Sequence, residues 1–220
     1  MTASAADGRK PDARSHRMAM SRTERWLKRL LDVSAAAMLL ILCSPLIAVL
    51  AVLIKLQDGG PVFHRRRVVG TQGEFDAFKL RTMRVGADQL LELNPGLRRE
   101  FEVNFKLKND PRITPLGRTL RKSSLDELPQ LWNVLVGDMS LVGPRMITAA
   151  ELEKYGDSSW IFRSLKPGLT GYWQILGRQD VTYQQRVEMD LFYVTHWSLA
   201  LDFEILIRTP IRVVRGAGAY

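Results

Sequence analysis

Val33 to Ile54 reads VSAAAMLLILCSPLIAVLAVLI, 22 residues without a formal charge between Asp32 and Lys55. At about 1.5 Å per residue a helix of that length reaches roughly 33 Å, enough to cross the hydrocarbon core of a bilayer. A cleaved signal peptide fits poorly, because 32 residues precede the run and the run is longer than the usual h-region of about 7–15 residues. The charges on its two sides agree in sign. Arg9, Lys10, Arg14, Arg17, Arg22, Arg25, Lys28 and Arg29 precede it, and Lys55 and Arg65 to Arg67 follow. Basic flanks favour the cytoplasm on both sides. Ser44 and Pro45 sit almost at the centre, where proline removes a backbone hydrogen bond and can kink the helix. The expectation is a re-entrant hairpin that enters and leaves by one membrane face. A plain span stays open, since proline also occurs in spanning helices.

Three regions follow from this. Residues 1–22 are expected to form a disordered basic arm attracted to anionic lipid. Residues 23–58 are the membrane segment, helix-break-helix, and residues 59–220 a cytosolic domain. QDGGP, Gln57 to Pro61, marks the boundary between the last two. PVFHRRRVVGTQGEFDAFKLRTM then leans towards β structure around Val62–Phe63 and Glu74–Leu80, as a small hairpin or an extended pair that displays Lys79, Arg81 and Arg84 near one end. Ala87 to Lys108 is more helical, divided at Pro95-Gly96, and Asn109-Asp110-Pro111 makes a turn. Thr182 to His196 has core-like spacing at Tyr183, Val187, Leu191 and Val194. A helix over Leu201 to Arg215 would gather Arg208, Arg212 and Arg215 on one stripe and Leu206, Ile207, Ile211, Val213 and Val214 on the other. Such a helix suits a membrane surface, or a core with solvated arginines.

With 220 residues and a formal charge of +9, the chain has room for one domain and an anchor and calls for anionic partners. A nucleic-acid tail is disfavoured, because no aromatic residues interleave with the charges of the arm. One cysteine, Cys43, and three scattered histidines exclude a disulfide framework and a cysteine or HExxH zinc site. No GxxxxGK[ST], GxGxxG or GxSxG is present, which argues against P-loop, dinucleotide-binding and hydrolase-elbow sites.

The chemistry concentrates in KSSLDELPQLWNVLVGDMSLVGPR, Lys122 to Arg145. Ser124 and Glu127 have capping-box spacing, which would start a helix at the adjacent acids Asp126 and Glu127; Pro129 instead favours a start nearer itself. Either way the acids lie near a helix amino end, which attracts anions. A plain cap that neutralises Arg118, Arg121 and Lys122 is the simpler reading of such a pair. The three cations before it, and the glycines, Asp138 and Arg145 after it, favour a phosphate site, because glycine lets backbone approach and arginine grips phosphate bidentately. A carboxylate attacking a diphosphate needs cations or Mg2+ to offset repulsion. One acid would then be the nucleophile and the other would hold metal or accept a proton.

The ordered blocks GGPVFHRRRVVG, FKLRTM, NDPRITPLGRTLRKSSLDELPQLWNVLVGDMSLVGPR, KPGLTGYWQILGR and GAGAY, with the Ser44-Pro45 segment, resemble the monotopic bacterial phosphoglycosyl transferases, also called bacterial sugar transferases. The resemblance runs from Arg29 to the carboxyl end. It implies a small mixed α/β catalytic domain with a re-entrant membrane helix and amphipathic interfacial helices, on the cytoplasmic face of a bacterial inner membrane. It implies that Asp126 attacks the sugar-bearing phosphate of a UDP-sugar, releases UMP, and passes the phosphosugar to undecaprenyl phosphate. Glu127 matches the second acid, with a role in Mg2+ binding or proton transfer, and Asp126 and Glu127 are the candidate Mg2+ ligands. Lys79, Arg81, Arg118, Arg121 and Arg145 match positions that bind substrate. Many relatives carry proline where Met146 follows Gly-Pro-Arg. ELEKYGD and the GAGAY end look like members that start exopolysaccharide or O-antigen units with galactose or glucose 1-phosphate. Membrane lipids are the remaining expected partners, nucleic acid is not one, and a homodimer is left open.

Overall fold

In a computed structural model that describes residues 20–104, 107, 110–176 and 181–214, the apolar run lies within one helix, α1, Arg22–Asp58. Ser21 starts it: its hydroxyl accepts from the Glu24 amide and the Glu24 carboxylate accepts from the Ser21 amide. Gly59 ends it in the left-handed conformation, φ 70°. The expected break at Ser44-Pro45 is not a break in the helix, which continues through Pro45. The reason is local. Pro45 has no N–H to give the Ile41 carbonyl, and the Ser44 hydroxyl donates to that carbonyl at 2.8 Å instead. The basic arm falls on residues 1–19, outside the described residues, apart from its last few positions.

Most of α1 is bare. Trp26 is 76% and Ile41 73% exposed, with Leu30, Met38, Leu42, Val49, Val52 and Leu56 also open. Its two ends are not. Near the start, Arg29 donates to the carbonyls of Val134 (2.6 Å) and Leu135 (2.7 Å), Lys28 reaches Asp202 at 2.6 Å, and Asp32 accepts from the Leu141 amide. Near the finish, Leu50 and Ile54 pack with Leu80 and Leu120, and Asp58 pairs with the Arg81 guanidinium.

The expected hairpin forms from β1, Phe63–Gly70, and β2, Gly73–Leu80, antiparallel, and its first strand is longer than the apolar residues indicated. Two short helices, α2 (Ala87–Glu92) and α3 (Pro95–Asn104), fall on either side of the Pro95 boundary. Asn109, in the expected turn, lies outside the described residues. Then come α4 (Pro115–Ser123), a 3-10 turn (Leu125–Glu127), α5 (Gln130–Val136) and β3 (Ser140–Val142). After α6 (Ala149–Leu152) and α7 (Ile161–Ser164), β4 (Gly168–Thr170) pairs in parallel with β3. The chain closes through α8 (Tyr172–Leu176), α9 (Tyr183–Thr195) and α10 (Leu199–Val214). Helix and strand are mixed as expected, but helix dominates and the strands form two separate two-stranded pieces.

The main core gathers Leu131, Val134, Met139, Ile147, Phe162, Ile175, Val187, Tyr193, Val194 and Ile205 from α5 to α10. At Gly143 and Gly168 the β3–β4 backbones nearly touch: a Cβ on Gly168 would stand 2.1 Å from the Gly143 amide nitrogen. Helix α10 leaves part of its expected apolar face uncovered. Ile205 and Asp202 are buried, whereas Phe203, Ile207 and Ile211, four residues apart, are exposed. That bare apolar line favours an interface over a packed core. The helix also runs through Pro210. Arg215 and the GAGAY end lie outside the described residues.

Candidate active site

Helix α4 delivers the acid pair. Thr114 caps its start by accepting from the Gly117 amide at 2.9 Å, and Pro115 takes the first position, where a missing N–H is harmless. Gly117 lets this turn seat on the end of β2, since a Cβ there would stand 2.0 Å from the Thr82 carbonyl oxygen. The helix stops at Ser124, whose left-handed φ of 57° turns the chain into the 3-10 turn that carries Asp126 and Glu127. Ser124 makes no side-chain cap, so the capping-box spacing with Glu127 is not used as a helix start. Helix α5 begins after Pro129, the second of the two starts the sequence allowed. Leu125 packs on the cluster around Leu50 and Ile54, which ties the acid turn to the far end of α1.

Strand β2 faces the pair. Lys79 Nζ bonds Glu127 Oε1 at 2.5 Å. Asn133, fully buried on α5, accepts from the Phe78 amide at 3.0 Å and donates to the Asp76 carbonyl at 2.8 Å, so α5 and β2 hold a fixed distance. Arg121 stands on the other side, its Nε donating to Thr82 Oγ1 at 2.9 Å.

Asp126 is 6% exposed. Burial pushes its carboxyl up to about 6; Lys79 pulls against this, Glu127 adds to it, and Arg121 opposes it. The cation that opposes this most, Lys79, is bonded to Glu127. Asp126 therefore combines a buried, weakly compensated carboxylate with ionisation near neutral pH, the state suited to nucleophilic attack.

The remaining expected residues divide. Arg81 turns away from the acids: its Nε donates to the Pro61 carbonyl at 2.5 Å and its guanidinium grips Asp58, so it fastens the end of α1 to β2. Arg118 is exposed on α4. Arg145 lies over the Trp173 ring, 4.4 Å from its centroid, while its backbone amide donates to Asp190. Arg66 was not singled out in the sequence, where it is the middle of three arginines. The hairpin register sets His64 opposite Lys79 and Arg66 opposite Ala77, so all of these share one face. Period-two counting from Lys79 along the chain reaches Arg67 and Arg65; only the register across the turn puts Arg66 on this face. Arg66 Nη2 bonds Glu151 at 2.9 Å; burial lowers its guanidinium, Glu151 opposes that, and Arg145, Glu127 and Arg121 also act on it. Asn133 stands inside the quoted Lys122–Arg145 stretch without being singled out and Asp190 lies in none of the quoted blocks, because each matters through a partner distant in sequence.

Among the described residues no three His, Cys, Asp or Glu side chains form a metal cage. Asp126 and Glu127 are the residues that would hold Mg2+, which is commonly bound by one or two carboxylates with substrate phosphates and water completing its shell.

The sequence profile of the bacterial sugar transferases matches residues 23–216. The undecaprenyl-phosphate galactose phosphotransferase of Salmonella typhimurium is 48% identical over 204 residues, covering 90% of this chain and 43% of that protein. The exopolysaccharide production protein ExoY of Rhizobium meliloti is 46% identical over 198 residues, 88% of each chain. The UDP-glucose:undecaprenyl-phosphate glucose-1-phosphate transferase of Escherichia coli is 36% identical over 210 residues, 91% of this chain and 43% of that protein. The chain thus spans less than half the length of the Salmonella and Escherichia relatives and most of the Rhizobium one.

Proposed function

The chain belongs to the bacterial sugar transferase family, and from that premise we propose that it transfers a sugar 1-phosphate from a UDP-sugar to undecaprenyl phosphate at a membrane surface. The observation that carries the proposal is Asp126: a buried carboxylate titrating near 6, between Lys79 and Arg121, on a turn packed against the end of an apolar helix. In the first step an Asp126 oxygen attacks the sugar-bearing phosphorus and the bond to the UMP oxygen breaks, leaving a phosphosugar on the carboxylate. In the second, an oxygen of the polyprenyl phosphate attacks the same phosphorus, the aspartyl–phosphate bond breaks, and the carboxylate is restored. Lys79 and Arg121 offset the charge that gathers as anion meets anion. Glu127, more open than Asp126 and held by Lys79, serves as metal ligand or proton acceptor. Mg2+, when bound by Asp126 and Glu127, would supply further neutralisation of the diphosphate.

The names of the Salmonella and Escherichia relatives support a hexose donor, galactose or glucose, and that of ExoY supports a place in exopolysaccharide production. The test is purified protein with polyprenyl phosphate, Mg2+ and a panel of UDP-sugars, reading UMP. Release with UDP-galactose or UDP-glucose is expected. Turnover with only an N-acetylated or diamino-sugar nucleotide would overturn the hexose assignment, and no UMP from any sugar would overturn the transferase.

The re-entrant arrangement on the cytoplasmic face belongs to the same proposal. What supports it is that both ends of α1 bond to one body: Lys28, Arg29 and Asp32 to α10, α5 and β3, and Asp58 to Arg81. A helix tied at both ends to one polar body cannot set those ends on opposite faces of a bilayer without drawing charged groups through it. With Cys43 replaced by serine, Ser15→Cys and Gln57→Cys are expected to react with an impermeant thiol reagent from the same side. Labelling from opposite faces would rule the re-entrant arrangement out.

A further inference from the structure

Gly-Pro-Arg after β3, Gly-Tyr-Trp-Gln after β4, and Arg186 on α9 are far apart in sequence and meet at one indole. Arg145 Cζ lies 4.4 Å and Arg186 Cζ 5.2 Å from the Trp173 ring centroid. A ring face favours one cation, but two guanidinium groups drawn to the same ring repel each other, and more strongly away from water. Trp173 and Arg186 are each only 7% exposed.

The hydrogen bonds are short of acceptors in the same place. Arg145 Nε, Arg186 Nε and Trp173 Nε1 are all buried without a hydrogen-bond partner. All three are donors, and neither side-chain type has a nitrogen that accepts, so what they lack is an acceptor. A buried unpaired donor is costly, and three together in a folded protein call for an explanation. The neighbouring acids are engaged elsewhere. Asp190 accepts from the Arg145 backbone amide at 3.1 Å and from the Tyr155 hydroxyl at 2.8 Å; Glu151 accepts from Arg66 at 2.9 Å and from the Thr148 amide and hydroxyl. Burial also pushes the Asp190 carboxyl up to about 7, against the Tyr155 bond and the two arginines, so it balances only part of their charge near neutrality. Arg66 joins this cluster to the acid pair, since Arg145 on one side and Glu127 and Arg121 on the other act on it.

We propose that Arg145, Arg186 and Trp173 form a second phosphate seat beside the acid pair, in which the two guanidinium Nε–H groups and the indole N–H donate to phosphate oxygens. The ligand class is a phosphate ester. Under the transferase reading, on which the choice of ligands rests, it is either the nucleotide phosphate of the donor or the phosphate head of the polyprenyl acceptor. The seat leaves Lys79 and Arg121 to the phosphorus that Asp126 attacks and gives the second phosphate of the reaction its own counter-charge. Arg186 and Trp173 are thereby binding residues, through contact with substrate oxygens.

The test is equilibrium binding of UMP, a short-chain polyprenyl phosphate and inorganic phosphate to the full chain in detergent. Removing a charged donor should weaken binding about ten-fold or more and removing a neutral one about two- to ten-fold. Arg186→Gln is therefore expected to weaken at least one organic phosphate about ten-fold or more, and whichever of UMP and the lipid phosphate suffers identifies the source. Trp173→Phe, which keeps the ring and removes only the N–H, is expected to weaken the same ligand by the smaller factor. If both variants unfold at the wild-type temperature and bind all three ligands as the wild type does, or if the wild type binds none, the seat does not exist. Should Arg186→Gln fail to fold, Trp173→Phe decides by the same criterion. UMP release with binding unchanged in the variants would sink the seat alone; weakened binding with no UMP released from any UDP-sugar would sink the transferase and leave the seat.

Discussion

Asp126→Asn is expected to lower UMP release by at least about 10^4-fold, the scale on which removal of a covalent nucleophile acts, while the protein remains folded and membrane-bound. Asparagine keeps the size of the side chain and removes the attacking oxyanion. Wild-type protein incubated with labelled UDP-sugar and no acceptor should hold the label on a bond that hydroxylamine cleaves, as an acyl phosphate; the variant should hold none. The same substitution should stabilise the fold at neutral pH. The Asp126 pKa rises from 3.8 to about 6 in the folded state, so its contribution to stability is fully present below pH 3.8 and is lost as pH climbs towards 6. Above that, the ionised carboxylate costs about 3 kcal/mol, which asparagine removes. A higher unfolding temperature at pH 8 with no UMP release would mark a residue kept for chemistry against stability. A variant that retained turnover would end the role of Asp126 as nucleophile, and an adaptor that only recruits partners would then become the better account.

Lys79→Met carries the second largest expected effect. Lys79 bonds Glu127 and is the foremost charge that opposes the burial of Asp126. Without it two neighbouring carboxylates keep only Arg121 and the more distant Arg66 charge to offset them, and the approaching diphosphate meets more negative charge. Turnover should fall about 10^2–10^3-fold, the usual loss when one preorganised charge stabiliser is removed. The pH profile separates this from simple damage. In the wild type, activity should fall as pH drops through about 6, because the nucleophile must be ionised; in Lys79→Met that acid limb should move to higher pH. A limb that stayed where it was, or one near 4 in the wild type, would show that Lys79 and burial do not set the ionisation of Asp126.

Several readings could be made from residues alone because they rest on local chemistry. The 22-residue uncharged run required an apolar environment whatever surrounded it, and it lies within α1. Two β-leaning runs separated by Gly70 and Gly73 pointed to the hairpin. Pro115 and Thr114 opened α4 by capping rules that depend on neighbours in the chain. The acid pair stood out for the same reason: unlike charges close in sequence remain close in space.

Other features depended on which segments meet. Lys79 and Arg81, two residues apart, looked equivalent, yet one bonds Glu127 and the other Asp58, because β2 ends at Leu80 and the end of α1 docks beside it. Ser124 had the spacing of a helix start and became a helix end, because α4 runs up to it and Pro129 defers the next helix. Asn133 and Trp173 carry no pattern of their own. One matters through the edge of a distant strand, and the other through two arginines from different elements. By itself the sequence determined the apolar anchor, the basic surface and the acid pair, since each arises from neighbours along the chain. Only the tertiary structure decided which cations face the acids, that both ends of α1 belong to one body, and that two arginines with unpaired buried Nε–H groups meet at an indole whose N–H is also unpaired, because burial and pairing are properties of segments brought together from far apart.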